Sequence, residues 1–136
     1  MQFYSTNRKT SPVSLREAVV RGLAADRGLF MPEVIRRFPP AFYQNMKEMT
    51  LREISFVVAE AFFGEDVEAG KLKEIVDETL NFDIPLVQVA DNRYSLELFH
   101  GPTLAFKDVG ARFMARLLAY FNKQEGERQV NVLVAT

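Results

Sequence analysis

The spacing of apolar residues changes near residue 82, and this change limits the folds that the chain can adopt. Before it, apolar residues recur about every three to four positions, which is typical of amphipathic helices. After it, short runs rich in β-branched residues lie between turn residues, which is typical of strands. The sequence therefore predicts an α/β fold, with a mostly helical domain over residues 1–82 and an incomplete second domain that begins in residues 83–136.

The first predicted helix begins at a capping signal. Ser14 can accept a hydrogen bond from a backbone N–H at the helix start, and Glu17 follows three residues later, as in a capping box. Apolar residues at helical spacing continue over residues 13–25, and Gly28 then ends or turns the segment. We expect one helix here.

Three further helices are predicted before residue 82. Thr50 and Glu53 form a second capping box, and the apolar face that follows ends at Gly64. A proline suited to a first helical turn begins a short helix over residues 40–46. A third apolar stripe at helical spacing covers residues 66–80.

The second half of the chain has the pattern of a sheet that is beginning. Residues 86–89 and 94–98 flank a turn at residues 91–92, which predicts a hairpin. A helix capped by Asp108 comes next, and the apolar run at residues 130–135 suits a parallel strand buried on both faces. We expect the open edge of that final strand to favour self-association of these 136 residues.

Composition excludes several classes of function. Seventeen basic residues face eighteen acidic ones, so the formal charge of −1 provides no basic field for nucleic acid or anionic lipid. With no cysteine and one histidine, the sequence predicts neither a disulfide nor a metal site. Residues 1–9 lack an apolar signal-peptide core, and no apolar run is long enough to span a membrane. We expect a soluble, cytoplasmic protein.

Lys107 lies between Phe106 and Asp108 where a loop meets the predicted helix. The positive end of the helix dipole and apolar surroundings would both favour the uncharged amine, which can attack an aldehyde. Phe106 could offer its flat face to an aromatic cofactor. From the residues alone, however, a Lys-Asp pair at a helix start is more often an exposed ion pair.

Residues 98–110, LFHGPTLAFKDVG, resemble the pyridoxal-phosphate (PLP) lysine motif of bacterial and fungal threonine synthases, which are fold-type-II PLP enzymes similar to the tryptophan synthase β chain. The resemblance extends upstream to short segments at residues 3–6, 13–14, 22–24 and 28–32. Arg27 stands where the family commonly has glycine. Related dehydratases and cysteine synthases usually carry arginine after the Lys-Asp pair, where this chain has Val109.

The resemblance implies a PLP-dependent carbon–oxygen lyase that converts O-phospho-L-homoserine and water to L-threonine and phosphate, in threonine biosynthesis. Lys107 would be the catalytic residue and would hold PLP covalently as an aldimine. Phe106 would contact the cofactor ring. A small molecule is then the expected partner, and no contact with nucleic acid or membrane is expected.

Other polar residues of the motif have simpler interpretations. Asp108 suits a helix cap better than a catalytic acid. His100 lacks the partners of a triad or metal site, so we expect it beside the site rather than in the reaction. Thr103 is a weak candidate for a cofactor contact, because a threonine in such a loop commonly bonds the backbone. Arg112 is expected to be solvated.

Two alternatives remain open at the level of sequence. The chain could be a non-enzymatic interaction module that retains the motif, or a fold-type-II PLP lyase with another substrate. No glycine-rich loop follows a predicted strand, although the family places its cofactor-phosphate loop after the strand that ends near Thr136. We therefore expect these 136 residues to be inactive alone and to lack bound PLP.

Overall fold

Three short strands near the N-terminus form an antiparallel sheet that the sequence pattern did not predict. In the computed structural model, which describes residues 1–124, 126 and 129–132, the central strand β1 (Gln2–Ser5) pairs with β2 (Val13–Ser14) on one side and β3 (Phe30–Pro32) on the other. The N-terminal region is mostly helical, as predicted, and these three strands are an addition to that prediction. Strands of two to four residues are too short to show alternation, and their pairing is set by residues distant in sequence.

Helix α1 (Leu15–Arg21) starts as predicted and ends earlier than predicted. The Ser14 hydroxyl accepts a hydrogen bond from the Glu17 backbone N–H at 3.2 Å, which confirms the cap. The helix stops at Gly22, whose φ of 71° lies in the left-handed region that glycine adopts without steric cost. The expected extension to residue 25 is therefore wrong.

The next helices follow the predicted pattern. Helix α2 (Pro40–Asn45) continues into a 3-10 turn, Met46–Glu48. Helix α3 (Leu51–Phe63) has a complete capping box, in which the Glu53 carboxylate accepts from the Thr50 N–H at 2.7 Å and the Thr50 hydroxyl accepts from the Glu53 N–H at 3.3 Å. Helix α4 (Ala69–Thr79) completes the set.

Helix α5 (Lys107–Gln124) shares one core with these N-terminal elements. It packs against α1 and α4, and α4 also packs against α3. The buried core combines residues from β1, α1, α3, α4, α5 and the segments beside them: Phe3, Leu15, Ala18, Ala59, Val67, Leu72, Ile75, Val76, Leu80, Leu117 and Phe121. The helix that begins at Lys107 is thus fixed to the first 82 residues, while the domain division at residue 82 stays a prediction.

The basic face of α5 binds the end of α4. Arg112 donates to the Glu78 carbonyl at 2.6 Å and to the Asn81 side-chain oxygen at 2.8 Å. Arg116 donates through Nε to the Glu78 carboxylate at 2.8 Å. Basic side chains commonly satisfy the last carbonyls of a helix in this way. The expectation that Arg112 would be solvated is wrong.

The predicted hairpin is confirmed, whereas the final strand is not. Strand β4 (Leu86–Ala90) pairs with the antiparallel strand β5 (Arg93–Leu96), and Asn92 in the turn has a φ of 56°. Residues 130–132 form no strand, and residues 133–136 lie outside the described part of the chain. The parallel strand, and self-association through its edge, therefore stay predictions. Among the described residues, no helix combines the length and apolar character needed to cross a membrane.

Asp26 connects the loop after β1 to the loop before β3. Its carboxylate accepts hydrogen bonds from the Ser5 hydroxyl at 2.6 Å and from the backbone N–H groups of Gly28 and Lys9, both at 3.0 Å. The Ser5 hydroxyl and then these two N–H groups hold the pKa of Asp26 below its ordinary value of 3.8. The ionised carboxylate therefore stabilises the folded state.

The stabilisation by Asp26 should depend on pH. Because its pKa is lowered in the folded state, the contribution is present above about pH 4 and is lost as the pH falls through the folded-state pKa. We expect Asp26→Asn to unfold at lower urea concentration than the wild type at about pH 7, with a smaller difference at about pH 3. Equal differences at both pH values would contradict this account.

Arg27 adopts a backbone conformation that suits glycine. Its φ is 68°, and its N–H donates to the Ala24 carbonyl at 2.8 Å, while the Ala24 N–H donates to the Gly28 carbonyl at 3.1 Å. A left-handed conformation costs an ordinary residue about 1–2 kcal/mol. The backbone at this position therefore favours glycine over arginine.

Replacing Arg27 with glycine should stabilise the fold. Relief of the left-handed strain outweighs the extra entropy of glycine in the unfolded chain, so we expect the free energy of unfolding of Arg27→Gly to rise by up to about 1 kcal/mol. Denaturant titration measures this change. Arg21→Gly, in the last turn of α1, is the matched control and should lower stability. A loss of stability in both variants would show that Arg27 is not strained.

Candidate functional site

The loop at residues 101–106 leads directly into Lys107, the first residue of α5. Within it, the Leu104 N–H donates to the Gly101 carbonyl at 3.0 Å, and the Asp108 N–H donates to the Ala105 carbonyl at 3.1 Å. Leu104 has a φ of 56°, a left-handed conformation that costs a non-glycine residue about 1–3 kcal/mol. The surrounding hydrogen bonds hold this loop in a strained turn against the helix.

The carboxylate of Asp108 binds this loop. One oxygen accepts from the Thr103 N–H at 2.9 Å, and the other accepts from the Thr103 hydroxyl at 2.9 Å. Asp108 lies inside the first turn of α5 and is 4% exposed. The expectation that Asp108 precedes and caps the helix is therefore wrong, because its side chain points back to the loop. We call this pair of hydrogen bonds the Thr103–Asp108 clamp.

Gly101 packs against the clamp. A β-carbon at this position would lie 2.5 Å from Oδ2 of Asp108 and 2.9 Å from its Cβ, and real β-carbons are essentially never closer than 3.0 Å to such atoms. Glycine therefore fits here because it lacks a side chain. The shape of the loop and the buried position of Asp108 depend on each other.

Lys107 and Phe106 lie on the surface beside this buried contact. The Lys107 side chain is exposed and forms no ion pair or hydrogen bond with any described residue. Phe106 is 73% exposed. The described residues therefore leave the lysine amine and the aromatic face open to a ligand, although they do not provide the apolar surroundings that the sequence analysis expected for the amine.

His100 lies at one side of the motif and pairs with a carboxylate. Its Nε2 lies 2.7 Å from an oxygen of Glu97, and its ring stacks on Phe99 with 4.7 Å between ring centroids. His100 also lines an open cleft of about 900 Å³ beside α3 and α4, whose described lining does not include Lys107. Among the described residues, no group of three or more histidine and acidic side chains could hold a metal ion.

The sequence identified the lysine at the helix start but missed how that start is held. The sequence favours a backbone bond for Thr103 over a cofactor contact, whereas its hydroxyl donates to the carboxylate of Asp108, five residues later. Glu97, three residues before His100, was also missed. The sequence indicates such pairs only through the spacing of polar side chains, five residues for Thr103 and Asp108 and three for Glu97 and His100. Polar residues occur at these spacings so often by chance that the spacing alone does not predict a pair.

The chain is similar to known threonine synthases along its whole length. Residues 2–80 match the family model described as "Threonine synthase N terminus". The chain is 38% identical over 136 residues to a threonine synthase of Serratia marcescens and 35% identical over 136 residues to that of Escherichia coli. Each match covers 100% of this chain and 31% of the relative, so the chain spans about a third of their length.

Solved structures give the same result for the fold. A PLP-bound threonine synthase from Brucella melitensis matches 94% of this chain with a TM-score of 0.88 and 34% identity. The threonine synthase of Escherichia coli matches 89% with a TM-score of 0.83 and 36% identity. The chain covers 29% and 28% of those two chains.

Proposed function

The chain belongs to the family of threonine synthase N-terminal regions, and we propose that it is the N-terminal part of a PLP-dependent enzyme that forms L-threonine. One observation carries this proposal. An exposed lysine with no ion pair to a described residue begins a helix that is anchored in the core, at the position where the family motif has its cofactor lysine.

The proposed substrates are O-phospho-L-homoserine and water, and the products are L-threonine and phosphate. In the balanced reaction, Cβ loses one proton and the bond between Cγ and the phosphate oxygen breaks. Cγ then gains a proton to become a methyl group, Cβ gains the hydroxyl of water, and the proton lost from Cβ leaves with the phosphate. Bound PLP would supply an electron sink for the negative charge that develops on the substrate carbons. The enzyme would thus be a carbon–oxygen lyase.

Lys107 would have two functions in this reaction. Its Nζ would hold the cofactor covalently and, once the substrate amine has replaced it, would take up and return protons at the substrate carbons. Both functions need an amine that is free of ion pairs and held at a fixed position. The exposed Nζ and the anchored start of α5 meet these two requirements.

Phe106 would contact the cofactor ring from the residue before the lysine. Its side chain is 73% exposed and packs in no ring pair of the described residues, so its aromatic face is available to a planar ligand. Contact of this kind is apolar and orients a ring without changing its charge. A PLP ring beside Phe106 would therefore be positioned by packing.

The phosphate of PLP would need a site that these 136 residues do not offer in their sequence. Phosphate groups are usually bound by converging backbone N–H groups of a glycine-rich loop at a helix start. The seven glycines of the chain are scattered and form no such loop. We therefore expect the 136 residues alone to retain no PLP and to form no threonine.

Replacing Lys107 in the full-length protein tests the proposed function. Lys107→Ala removes both the covalent attachment and the proton transfer, so phosphate release and threonine formation from O-phospho-L-homoserine should fall at least about a hundredfold. Lys123→Ala, on the last turn of the same helix, is the control and should keep wild-type rates. Near-normal threonine formation by Lys107→Ala would refute the proposal.

A further inference from the structure

We propose that Thr103 and Asp108 are positioning residues for the reactive lysine, and that the Thr103–Asp108 clamp sets the direction in which Lys107 presents its amine. This inference rests on the proposed function, because it concerns the reaction of Lys107 with the cofactor. Neither residue is proposed to touch the cofactor or the substrate.

The clamp and two backbone hydrogen bonds connect the residues before Lys107 to the residues after it. Asp108 is the next residue, and its buried carboxylate holds Thr103 through two hydrogen bonds of 2.9 Å. The backbone N–H groups of Asp108 and Val109 also donate across Lys107, to the carbonyls of Ala105 and Phe106, at 3.1 and 3.4 Å. The loop and the first turn of α5 therefore form one unit, with Lys107 at their junction.

The strain in the loop supports a functional role for the loop and the first turn of α5. Leu104 has a φ of 56° and is 75% exposed, so its conformation gains little packing in return. Such conformations persist only where the surrounding structure determines them, and they cluster at functional sites. Here the bond from the Leu104 N–H to the Gly101 carbonyl and the clamp on the preceding residue, Thr103, hold Leu104 in place.

The start of α3 provides an internal comparison with a purely structural cap. There, the Thr50 hydroxyl also donates to a carboxylate, that of Glu53 at 2.8 Å, but Glu53 is exposed. Thr50 and Glu53 line the cleft that includes His100, and the described lining of that cleft does not include Lys107. Asp108 is 4% exposed and adjoins the lysine. If the clamp only stabilised a helix start, loss of the Thr103 hydroxyl and loss of the Thr50 hydroxyl would both lower stability, and neither would change the rate at which Lys107 binds the cofactor.

The step that should depend on the clamp is attachment of the cofactor. In that step the amine of Lys107 would add to the aldehyde carbon of PLP, a carbon–nitrogen double bond would replace the carbon–oxygen double bond, and one water molecule would leave. A misplacement of about 1 Å can slow a reaction between positioned groups about a hundredfold. Loosening the loop should therefore slow the attachment to Lys107 even where the protein remains folded.

The experiment compares matched threonine variants of the full-length apo-protein. Thr103→Val and Thr50→Val each remove one hydroxyl from a helix start and keep the side-chain shape. We expect Thr103→Val to slow the appearance of the visible absorption of lysine-bound PLP by about ten- to a hundredfold. We expect Thr50→Val to lower the melting temperature and leave the attachment rate unchanged, and Thr103→Ser to restore the rate to within about threefold.

A second variant keeps the test decisive if Thr103→Val does not fold. Asp108→Asn has the same shape and removes the charge from the clamp, and it should also slow attachment relative to Thr50→Val. Equal attachment rates in the folded Thr103 or Asp108 variants and in Thr50→Val would overturn the positioning role while leaving the proposed function intact. Failure of the unmutated protein to attach PLP at Lys107 would overturn the proposed function and, with it, this inference.

Discussion

The packing of α5 against α1 and α4 is the interaction on which the rest of the structure depends. Leu117 and Phe121 insert into a core that also contains Phe3 of the first strand and Leu72 of α4. This contact joins residues more than a hundred positions apart in sequence, and it makes the first turn of α5 a fixed point rather than a free helix end. The position of Lys107 is therefore fixed by core residues in other parts of the chain.

Rigidity of the helix alone would not fix the lysine, because helix ends fray and loops move. Arg112 connects one face of α5 to the end of α4. Asp108 connects the first turn of α5 to the preceding loop at Thr103. The first contact orients the helix, and the second orients the residues before it. Sites built on rigid elements with supporting hydrogen bonds hold reactive groups more accurately than sites on free loops.

Structural features that depend on residues close in sequence were predictable, and those that depend on residues distant in sequence were not. The caps at Ser14 and Thr50 depend on residues three positions apart, and both are confirmed. The strand pairing of Phe3 with Val13 and Pro32 depends on chain reversal through loops, which no short pattern reveals. For the same reason, the contact of Arg112 with Glu78 was missed, since it joins two helices whose relative placement follows from the core.

The candidate site was also predictable only in part. The spacing of residues could place Lys107 at a helix start, but it could not distinguish a cofactor lysine from an exposed ion pair, and only the resemblance over residues 98–110 favoured the first.

The direct test is to reduce the full-length protein with borohydride in the presence of PLP and to locate the modified lysine by peptide mass spectrometry. The account predicts modification of Lys107. Modification of another lysine, or of none, would contradict it.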